Sequence, residues 1–312
     1  LPQRTMVSRE LRAGENWTVH THPVDWLTNG TRTQAALFVL AANAPTSSSP
    51  TLNKTILNST HENITTYPQD VANGDGDVVT NVTDWRVNGS SIAVLNLPFD
   101  HDVRDGARGL VFDYSSHRNN GTLGSARGSG TIPRWTSEGR VGGAFVFDGI
   151  NDRINVSRSV SLNLTGGMSV SFWLNLRSSS LYKIIFAKGQ QSGDVGYGCG
   201  DPSGFSTIIV CWYRTSAGVV YATGINRPSF DSWNHIVMTY DGTTTVRMYL
   251  NGSDVGDSAY GGSHQGASAD LEIGGSVGET GSDLNATLDE FRIYNRTLTP
   301  EQVDRIFLDE NR

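Results

Sequence analysis

The stretch SVSFWLNL (169–176) places Val170, Phe172 and Leu174 on one face of an extended chain and the intervening side chains on the other. HIVMTY (235–240) repeats this alternation. A period of two residues is typical of a β-strand that has one face in a hydrophobic core. Both segments therefore predict strands of a sheet with one buried face.

The composition of the 312-residue chain is typical of an all-β protein with many turns. It includes 35 glycines and only 4 methionines, and 37% of its residues are hydrophobic. The longest apolar run, residues 35–42, is far shorter than the roughly 20 residues that cross a bilayer. A net charge of −7 disfavours nucleic acid as a partner. We therefore expect a globular chain without a membrane span.

The composition changes near residue 100. Residues 1–97 contain short strand-like segments and little glycine, whereas residues 105–300 are rich in glycine and aromatic residues. One helix is predicted at the end of the chain, where Thr299 suits the N-cap, Pro300 the first turn and Gln302 a capping box. Two regions are therefore expected.

Six segments of the second region follow one another in the order that is found in one known family. They are FDYSSHRNNGTLG (112–124), VGGAFVFDGINDRINV (141–156), MSVSFWLNL (168–176), SWNHIVMTYDG (232–242), VRMYLNGS (246–253) and TLDEFRIYNRTLTPEQV (287–303). Together they resemble the laminin-G-like jelly roll of the concanavalin A-like lectin/glucanase superfamily. The resemblance implies an all-β fold, with a jelly roll over residues 99–312 that ends in a short helix.

Residues 1–98 resemble Ig-like repeats of archaeal and bacterial surface glycoproteins, which implies an Ig-like β-sandwich region. Residues 14–46 resemble the last strands of such a repeat, and residues 63–92 resemble the first half of the next one. The sheet either closes within the chain or is completed by a strand from a neighbouring copy. The second arrangement would make the protein the subunit of a surface filament or layer, and a small self-contained sandwich is the alternative.

Asparagines in Asn-x-Ser/Thr sequons are unusually frequent. Of 22 asparagines, 13 lie in this motif, whereas chance gives about four in a chain with this content of Ser and Thr. The count predicts a heavily N-glycosylated extracellular or cell-surface protein, with accidental matches as the alternative. The sequons are Asn16, Asn29, Asn53, Asn58, Asn63, Asn81, Asn88, Asn120, Asn155, Asn163, Asn251, Asn285 and Asn295.

The two cysteines, Cys199 and Cys211, flank a Gly-Asp-Pro-Ser-Gly turn in one hairpin-like stretch. In an oxidising compartment we expect them to pair across neighbouring strands, and two buried thiols are the alternative. A metal site built from two lone cysteines is disfavoured.

The carboxylate pattern of a glycoside hydrolase is missing. Some members of the superfamily are glucanases and carry Glu-x-Asp-x-x-Glu on one strand, which directs the carboxylates into one cleft. No glutamate of this chain is followed by aspartate two positions later. Asp289 and Glu290 are adjacent, so on a regular strand they face opposite sides of the sheet. We therefore predict a protein that is not an enzyme, with a glycoside hydrolase as the weaker alternative.

Two groups of oxygen-bearing side chains are candidates for structural calcium, which takes several oxygens from loops. The first group lies in an acidic turn and consists of Asp70, Asn73, Asp75 and Asp77. A solvated turn is the alternative for these residues. The second group is implied by the resemblance, because some members bind calcium at the positions of Asp113, Asn119, Asp148 and Asp289. Each of these four residues can instead form a turn or accept a buried hydrogen bond.

Lectin sites stack sugar rings on aromatic side chains. Trp212, Tyr197 and Tyr221 lie in or beside predicted loops and are the candidates for such a site, with core packing as the alternative for each. We expect a non-catalytic extracellular structural or adhesive protein. Its expected partners are further copies of itself, its own N-linked glycans and, as a further candidate, polysaccharide. A calcium-dependent carbohydrate-binding module is the alternative.

Overall fold

The computed structural model divides the chain into two compact units, Leu1–Asn81 and Val82–Arg312. The residues that the structure describes are 16–21, 33–38, 46–53, 65–72, 82, 84–88, 90–100, 109–124, 132–177, 183–189, 196–201, 208–216, 218–221, 225–226, 228–259, 264–276 and 281–311. Each unit is described by itself below.

The first unit contains two antiparallel hairpins within the described ranges. Strand β1 (Asn16–Thr21) pairs with β2 (Thr33–Phe38), and β3 (Thr46–Asn53) pairs with β4 (Thr65–Ala72). The Ig-like sandwich stays a prediction, since these hairpins form two separate two-stranded sheets. Of the acidic turn, Asp70 lies on β4, while Asn73, Asp75 and Asp77 lie outside the described residues.

The second unit consists of strands, one turn of 3-10 helix (Val160–Leu162) and an α-helix at its end. In chain order its elements are β5 (Arg86–Val87), β6 (Ser90–Ser91), β7 (Ala93–Leu97), β8 (Leu110–Val111), β9 (Gly121–Leu123), β10 (Arg134–Thr136), β11 (Ala144–Asp148), β12 (Ile154–Val156), β13 (Met168–Leu176), β14 (Ile184–Lys188), β15 (Tyr197–Gly200), β16 (Ile208–Thr215), β17 (Gly218–Tyr221), β18 (Ile225–Asn226), β19 (Trp233–Tyr240), β20 (Thr245–Leu250), β21 (Ser253–Ala259), β22 (Leu271–Ile273), β23 (Asn285–Tyr294) and α1 (Pro300–Glu310). This confirms the predicted all-β class and the C-terminal helix.

Most of these strands form two antiparallel sheets. The first sheet has the order β10-β11-β23-β13-β19-β20-β21, and β7 also pairs with β23. The second sheet has the order β17-β16-β15-β14-β22-β12-β9-β8, and β18 also pairs with β16. The sheets share one core, in which Phe172 of the first sheet contacts Phe186 of the second with ring centroids 5.8 Å apart. This is the sandwich that the alternating segments predict.

Strand β7 corrects the predicted boundary at residue 98. All five residues of Ala93–Leu97 are buried, and the strand pairs with the second half of β23. Residues 82–98 therefore belong to the same unit as the jelly roll. The change in composition near residue 100 does not mark the boundary, because an early apolar strand is needed to complete the first sheet.

A β-bulge interrupts β23 at Glu290. The strand's first half pairs with β11 and its second half with β7, and the register against β13 shifts between these halves. Glu290 has a φ of 52°, in the left-handed region. Because Leu288 and Phe291 both lie in the core, Asp289 and Glu290 leave the core side together. The prediction that these two carboxylates face opposite sides is therefore wrong.

Helix α1 begins at a complete capping box, as predicted. The Thr299 hydroxyl accepts a hydrogen bond from the Gln302 N–H, and the Gln302 side chain accepts one from the Thr299 N–H. Val303 is buried against Tyr249 and Tyr294, so the helix packs on the outer face of the first sheet. None of the described helices has the length and apolar character to span a bilayer.

The predicted disulfide is confirmed. Cys199 on β15 and Cys211 on β16 lie directly opposite each other in the antiparallel register and are bonded. Both side chains belong to the core between the sheets. The bond joins two neighbouring strands of the second sheet.

Candidate functional site

The outer face of the second sheet carries one row of residues that runs across most of the sheet. Residues in this row are directly paired from strand to strand, so their side chains share a face. Neighbouring residues such as Leu123, Ile154 and Ile273 point into the core, which identifies the row's face as the outer one. We call this set the outer row: Leu110, Thr122, Asn155, Glu272, Ala187, Gly198, Trp212 and Tyr221.

The aromatic end of the outer row consists of Trp212 and Tyr221. The two are paired across β16 and β17, with ring centroids 6.5 Å apart. A Cβ atom at Gly198 would lie 2.5 Å from Cζ2 of Trp212, so the missing side chain gives the indole room against the sheet. Trp212 is 2% exposed, whereas Tyr221 is 40% exposed and lies on the edge strand. Tyr221 thus presents an aromatic surface to solvent.

The other part of this face holds a buried charged group around Arg153. Its guanidinium donates to Asp283 at 2.5 Å and lies 3.7 Å from a carboxylate oxygen of Glu272. It also donates to the carbonyl oxygens of Asp152 and Gly274. Two carboxylates therefore balance the one guanidinium, and Arg153 is not available to an anionic ligand.

Asp152 stands next to this group and makes its charge sensitive to pH. Burial raises its pKa to about 6, and the nearby Asp148 carboxylate adds to the increase. The Asp152 carboxylate accepts a hydrogen bond from the Asp148 N–H. Asp148 itself accepts the Ile150 N–H and so forms a turn rather than part of the outer row.

Two of the three predicted sugar-binding aromatics are buried, so these predictions are wrong. Tyr197 lies on β15 with its ring in the core, and its hydroxyl donates to the Leu162 carbonyl oxygen at 3.2 Å. Burial raises the pKa of that phenol. Trp212 packs with Ile184 and Ala187. Both residues lie on strands rather than in loops, Tyr197 on β15 and Trp212 on β16. Tyr221 alone keeps an exposed ring.

The second calcium group stays a prediction, and the structure shows which protein donors two of its carboxylates already bind. Asp113 accepts four hydrogen bonds, from the N–H groups of Asn96, Ser115 and Asn119 and from the Ser115 hydroxyl. The Asn119 amide donates to the Val94 carbonyl oxygen and so stabilises the same turn. Protein donors therefore occupy the lone pairs of Asp113 that a cation would need. Within the described ranges, no three His, Cys, Asp or Glu side chains form a group that could hold a metal.

Asp289, the fourth residue of that group, is likewise occupied. It accepts hydrogen bonds from the N–H groups of Arg140, Val141 and Glu290. Burial and the neighbouring Glu290 carboxylate raise its pKa well above the ordinary value. The partners that the structure gives this carboxylate are backbone donors.

Glu290 belongs to a charged cluster beneath helix α1 that the sequence did not reveal. The Arg292 guanidinium donates to the carboxylates of both Glu290 and Glu310, and the Trp173 indole N–H donates to Glu310 at 2.6 Å. Burial raises the pKa of Glu290 to about 8, although Arg292 acts in the opposite direction. Phe307 of the helix stacks on Trp173 with centroids 5.8 Å apart. These contacts stabilise the packing of helix α1 on the first sheet.

Several solved structures share this fold. Domain 4 of AbnA, a GH43 extracellular arabinanase from Geobacillus stearothermophilus solved with arabinotriose, has a TM-score of 0.55 and 20% identity over 70% of this chain and 98% of that one. The binding domain of Paraclostridial Mosquitocidal Protein 1 has a TM-score of 0.52 and 16% identity over 69% of this chain. The binding domain of botulinum neurotoxin serotype G has a TM-score of 0.53 and 15% identity over 70% of this chain. At these identities the likeness concerns the fold alone.

This chain spans 51% of the length of each of the two toxin domains. Among curated proteins, none matched the sequence. A family model described as the concanavalin A-like lectin/glucanases superfamily matches residues 148–304, just over half of the chain. The matched range begins in β11 and ends in α1, so it covers most strands of both sheets. The chain belongs to the concanavalin A-like lectin/glucanase superfamily.

Proposed function

We propose that the protein is a non-catalytic, N-glycosylated extracellular adhesive protein whose jelly roll binds a glycan at the aromatic end of the outer row. The observation that carries this proposal is the exposed ring of Tyr221, 40% exposed at the edge of the second sheet. Helix α1 covers part of the outer face of the first sheet, so the second sheet offers the more open surface for a ligand. A sugar ring stacks on such an aromatic face through its C–H groups.

The charges near the outer row favour a neutral glycan over a sulfated or carboxylated one. The buried guanidinium of Arg153, farther along this face, already pairs with Asp283 and Glu272. The whole chain carries a net charge of −7, which adds a repulsive background for polyanions. The arabinanase domain with a similar fold was solved with arabinotriose, which is a neutral sugar, and this supports the same class of ligand here.

The buried carboxylates support a binding role rather than hydrolysis. Asp289 and Glu290 share one side of β23, yet they are 0% and 4% exposed. Their oxygens are bound to backbone N–H groups and to Arg292. A glycosidase needs two carboxyl groups that flank a substrate in a cleft. The disulfide between Cys199 and Cys211 and the many sequons support an extracellular setting.

A glycan array tests this proposal directly. The wild type should bind a neutral oligosaccharide, and Tyr221→Ala should weaken that binding by about tenfold, the loss of roughly one aromatic stacking contact. Phe230→Ala is the matched control, because Phe230 is 42% exposed and lies outside the outer row. Tyr221→Trp should retain binding. Equal affinity of the wild type and Tyr221→Ala would contradict the proposed site. Repeating the array with a chelator tests calcium dependence, for which the turn at residues 70–77 remains our candidate.

The hairpins of the first unit favour a second function, as the subunit of a filament or layer. Within the described ranges, each of its two sheets has only two strands, and an isolated two-stranded sheet is marginally stable. A strand from a neighbouring copy would complete such a sheet. Electron microscopy of the natively secreted protein should then show regular filaments. Deletion of residues 1–42 should leave a soluble monomer, and polymerisation of the deleted protein would contradict strand donation through this segment.

A further inference from the structure

Four sequons of the second unit have partly exposed asparagines, Asn120, Asn155, Asn251 and Asn285. The side-chain amides of Asn120, Asn155 and Asn251 make hydrogen bonds to described residues. These asparagines have similar exposure, but they differ in the amide atom, Oδ1 or Nδ2, that makes a hydrogen bond to the rest of the fold. N-glycosylation replaces one hydrogen on Nδ2 with a sugar and leaves Oδ1 as a hydrogen-bond acceptor. An asparagine that stabilises the fold through Oδ1 keeps both N–H positions open to a glycan, whereas one that donates from Nδ2 has only its second N–H position left for the sugar.

Asn251 uses Oδ1. It occupies the tight turn between β20 and β21 with a φ of 51°, and Gly252 follows with a φ of 78°. Its Oδ1 accepts the His235 N–H at 2.8 Å, and its own N–H donates to the His235 carbonyl oxygen at 2.9 Å. Because the His235 N–H can only donate, the amide atom that faces it must be Oδ1. This fixes the orientation of the Asn251 amide. Nδ2 makes no hydrogen bond to any residue that the structure describes.

Asn120 uses the same atom. Its Oδ1 accepts the Asp113 N–H at 2.9 Å, next to the turn in which the Asp113 carboxylate accepts its four hydrogen bonds. Here too a backbone donor fixes the amide, and Nδ2 has no hydrogen-bond partner in the described part of the chain. The sequon hydroxyl belongs to Thr122 on β9.

Asn155 has the opposite arrangement. Its Nδ2 donates to Asp270 Oδ2 at 3.3 Å, and the Arg158 N–H holds the same carboxylate at 2.8 Å. A carboxylate accepts only, so nitrogen must face it. Asn155 also lies in the outer row beside Glu272, which is paired with the buried Arg153. A sugar on this nitrogen would compete with Asp270 for one of its two N–H positions and would lie beside the buried Glu272 of the outer row.

We infer that Asn120 and Asn251 carry N-linked oligosaccharides and that Asn155 does not. This inference rests on the glycosylated, extracellular character in the proposed function. It does not depend on sugar binding at Tyr221. Asn88 and Asn295 are exposed members of the same motif and serve as internal references for whether the host uses sequons of this chain at all.

Glycopeptide mass spectrometry on the full chain, secreted by its native host or by another N-glycosylating host, tests this assignment. The peptides with Asn120 and Asn251 should carry glycan, and the peptide with Asn155 should have its unmodified mass. The variants remove the sequon hydroxyl and leave the asparagine in place, so that the hydrogen bonds to Asp113 and His235 persist. Ser253→Ala and Thr122→Val should each remove one glycan mass per molecule, while the matched control Ser157→Ala should change no glycan mass.

Two results would overturn the assignment while leaving the proposed function intact. One is a glycan on Asn155 at the occupancy of Asn251. The other is bare Asn120 and Asn251 in a protein whose Asn88 and Asn295 are occupied. Bare asparagines at all of these sequons would overturn both the assignment and the glycosylated part of the proposed function. The glycan array would still test separately whether the protein binds a neutral glycan at Tyr221.

Discussion

Replacement of Arg292 by methionine should strongly destabilise the second unit. The guanidinium donates to Glu290 and Glu310, and its Nε donates to Asn96 Oδ1 at 3.0 Å. The side chain is 17% exposed, and methionine keeps much of its apolar stem. Removing the cation leaves carboxylates without compensation in a buried cluster, which costs about 3–5 kcal/mol of unfolding free energy. For a unit of this size, that corresponds to a fall in Tm of about 10 °C.

The cost should depend on pH in a defined direction. Burial raises the folded-state pKa of Glu290 from 4.5 to about 8. Its contribution to stability is therefore complete below about pH 4.5 and is lost as the pH rises through about 8. Without Arg292 this pKa rises further, so Glu290 stays protonated and neutral at pH 5.5. Arg292→Met should then cost about 1 kcal/mol more at pH 8.5 than at pH 5.5, because the wild-type Glu290 carboxylate ionises beside the cation only above about pH 8.

Urea unfolding at the two pH values measures this difference through the midpoint, provided that the m-value is unchanged. The fluorescence of Trp173, which lies beneath the helix, reports the transition. Glu290→Gln is the matched control, because it mimics the protonated acid and should flatten the pH dependence of the wild type. If Arg292→Met lowers the unfolding free energy by less than about 1 kcal/mol at pH 8.5, the cluster stabilises the fold no more than a surface ion pair does. An equal cost at both pH values would refute the role of Glu290.

Three further substitutions test the local features of the fold. Replacing Cys199 and Cys211 by alanine should lower the unfolding free energy by about 3 kcal/mol, because the bond closes a short loop; urea titration measures the loss. Thr299→Ala should cost about 1 kcal/mol through the lost N-cap, which the thermal midpoint reports. Gly198→Val should cost about 1–3 kcal/mol because its side chain would overlap the Trp212 ring, and near-ultraviolet circular dichroism should show the displaced indole.

Features that depend on neighbouring residues in the chain could be predicted from the sequence. The alternation in residues 169–176 and 235–240 identified strands β13 and β19, which pair in the first sheet. The capping box at Thr299 is decided by residues three positions apart. The cysteine pair could be predicted because both cysteines lie in one hairpin, where pairing requires only a turn of the right length.

Features that depend on register between distant segments could not be predicted. Alternation assigned opposite faces to Asp289 and Glu290, but the bulge at Glu290, where β23 changes partners from β11 to β7, directs both away from the core. Glycine at position 198 gave no sign that it makes room for Trp212. Nor did the sequence indicate which carboxylates have their oxygens occupied by backbone N–H groups.

By itself the sequence determined the family, the all-β class, the helix at the end of the chain and the disulfide, because periodicity, capping and motif order act over short stretches. Only the tertiary structure decided that β7 belongs to the second unit, that Tyr197 and Trp212 are buried while Tyr221 is exposed, and which amide atom each asparagine uses. Exposure and hydrogen-bond partners are set by strands far apart in the chain. Their contacts form only when the two sheets close on one core.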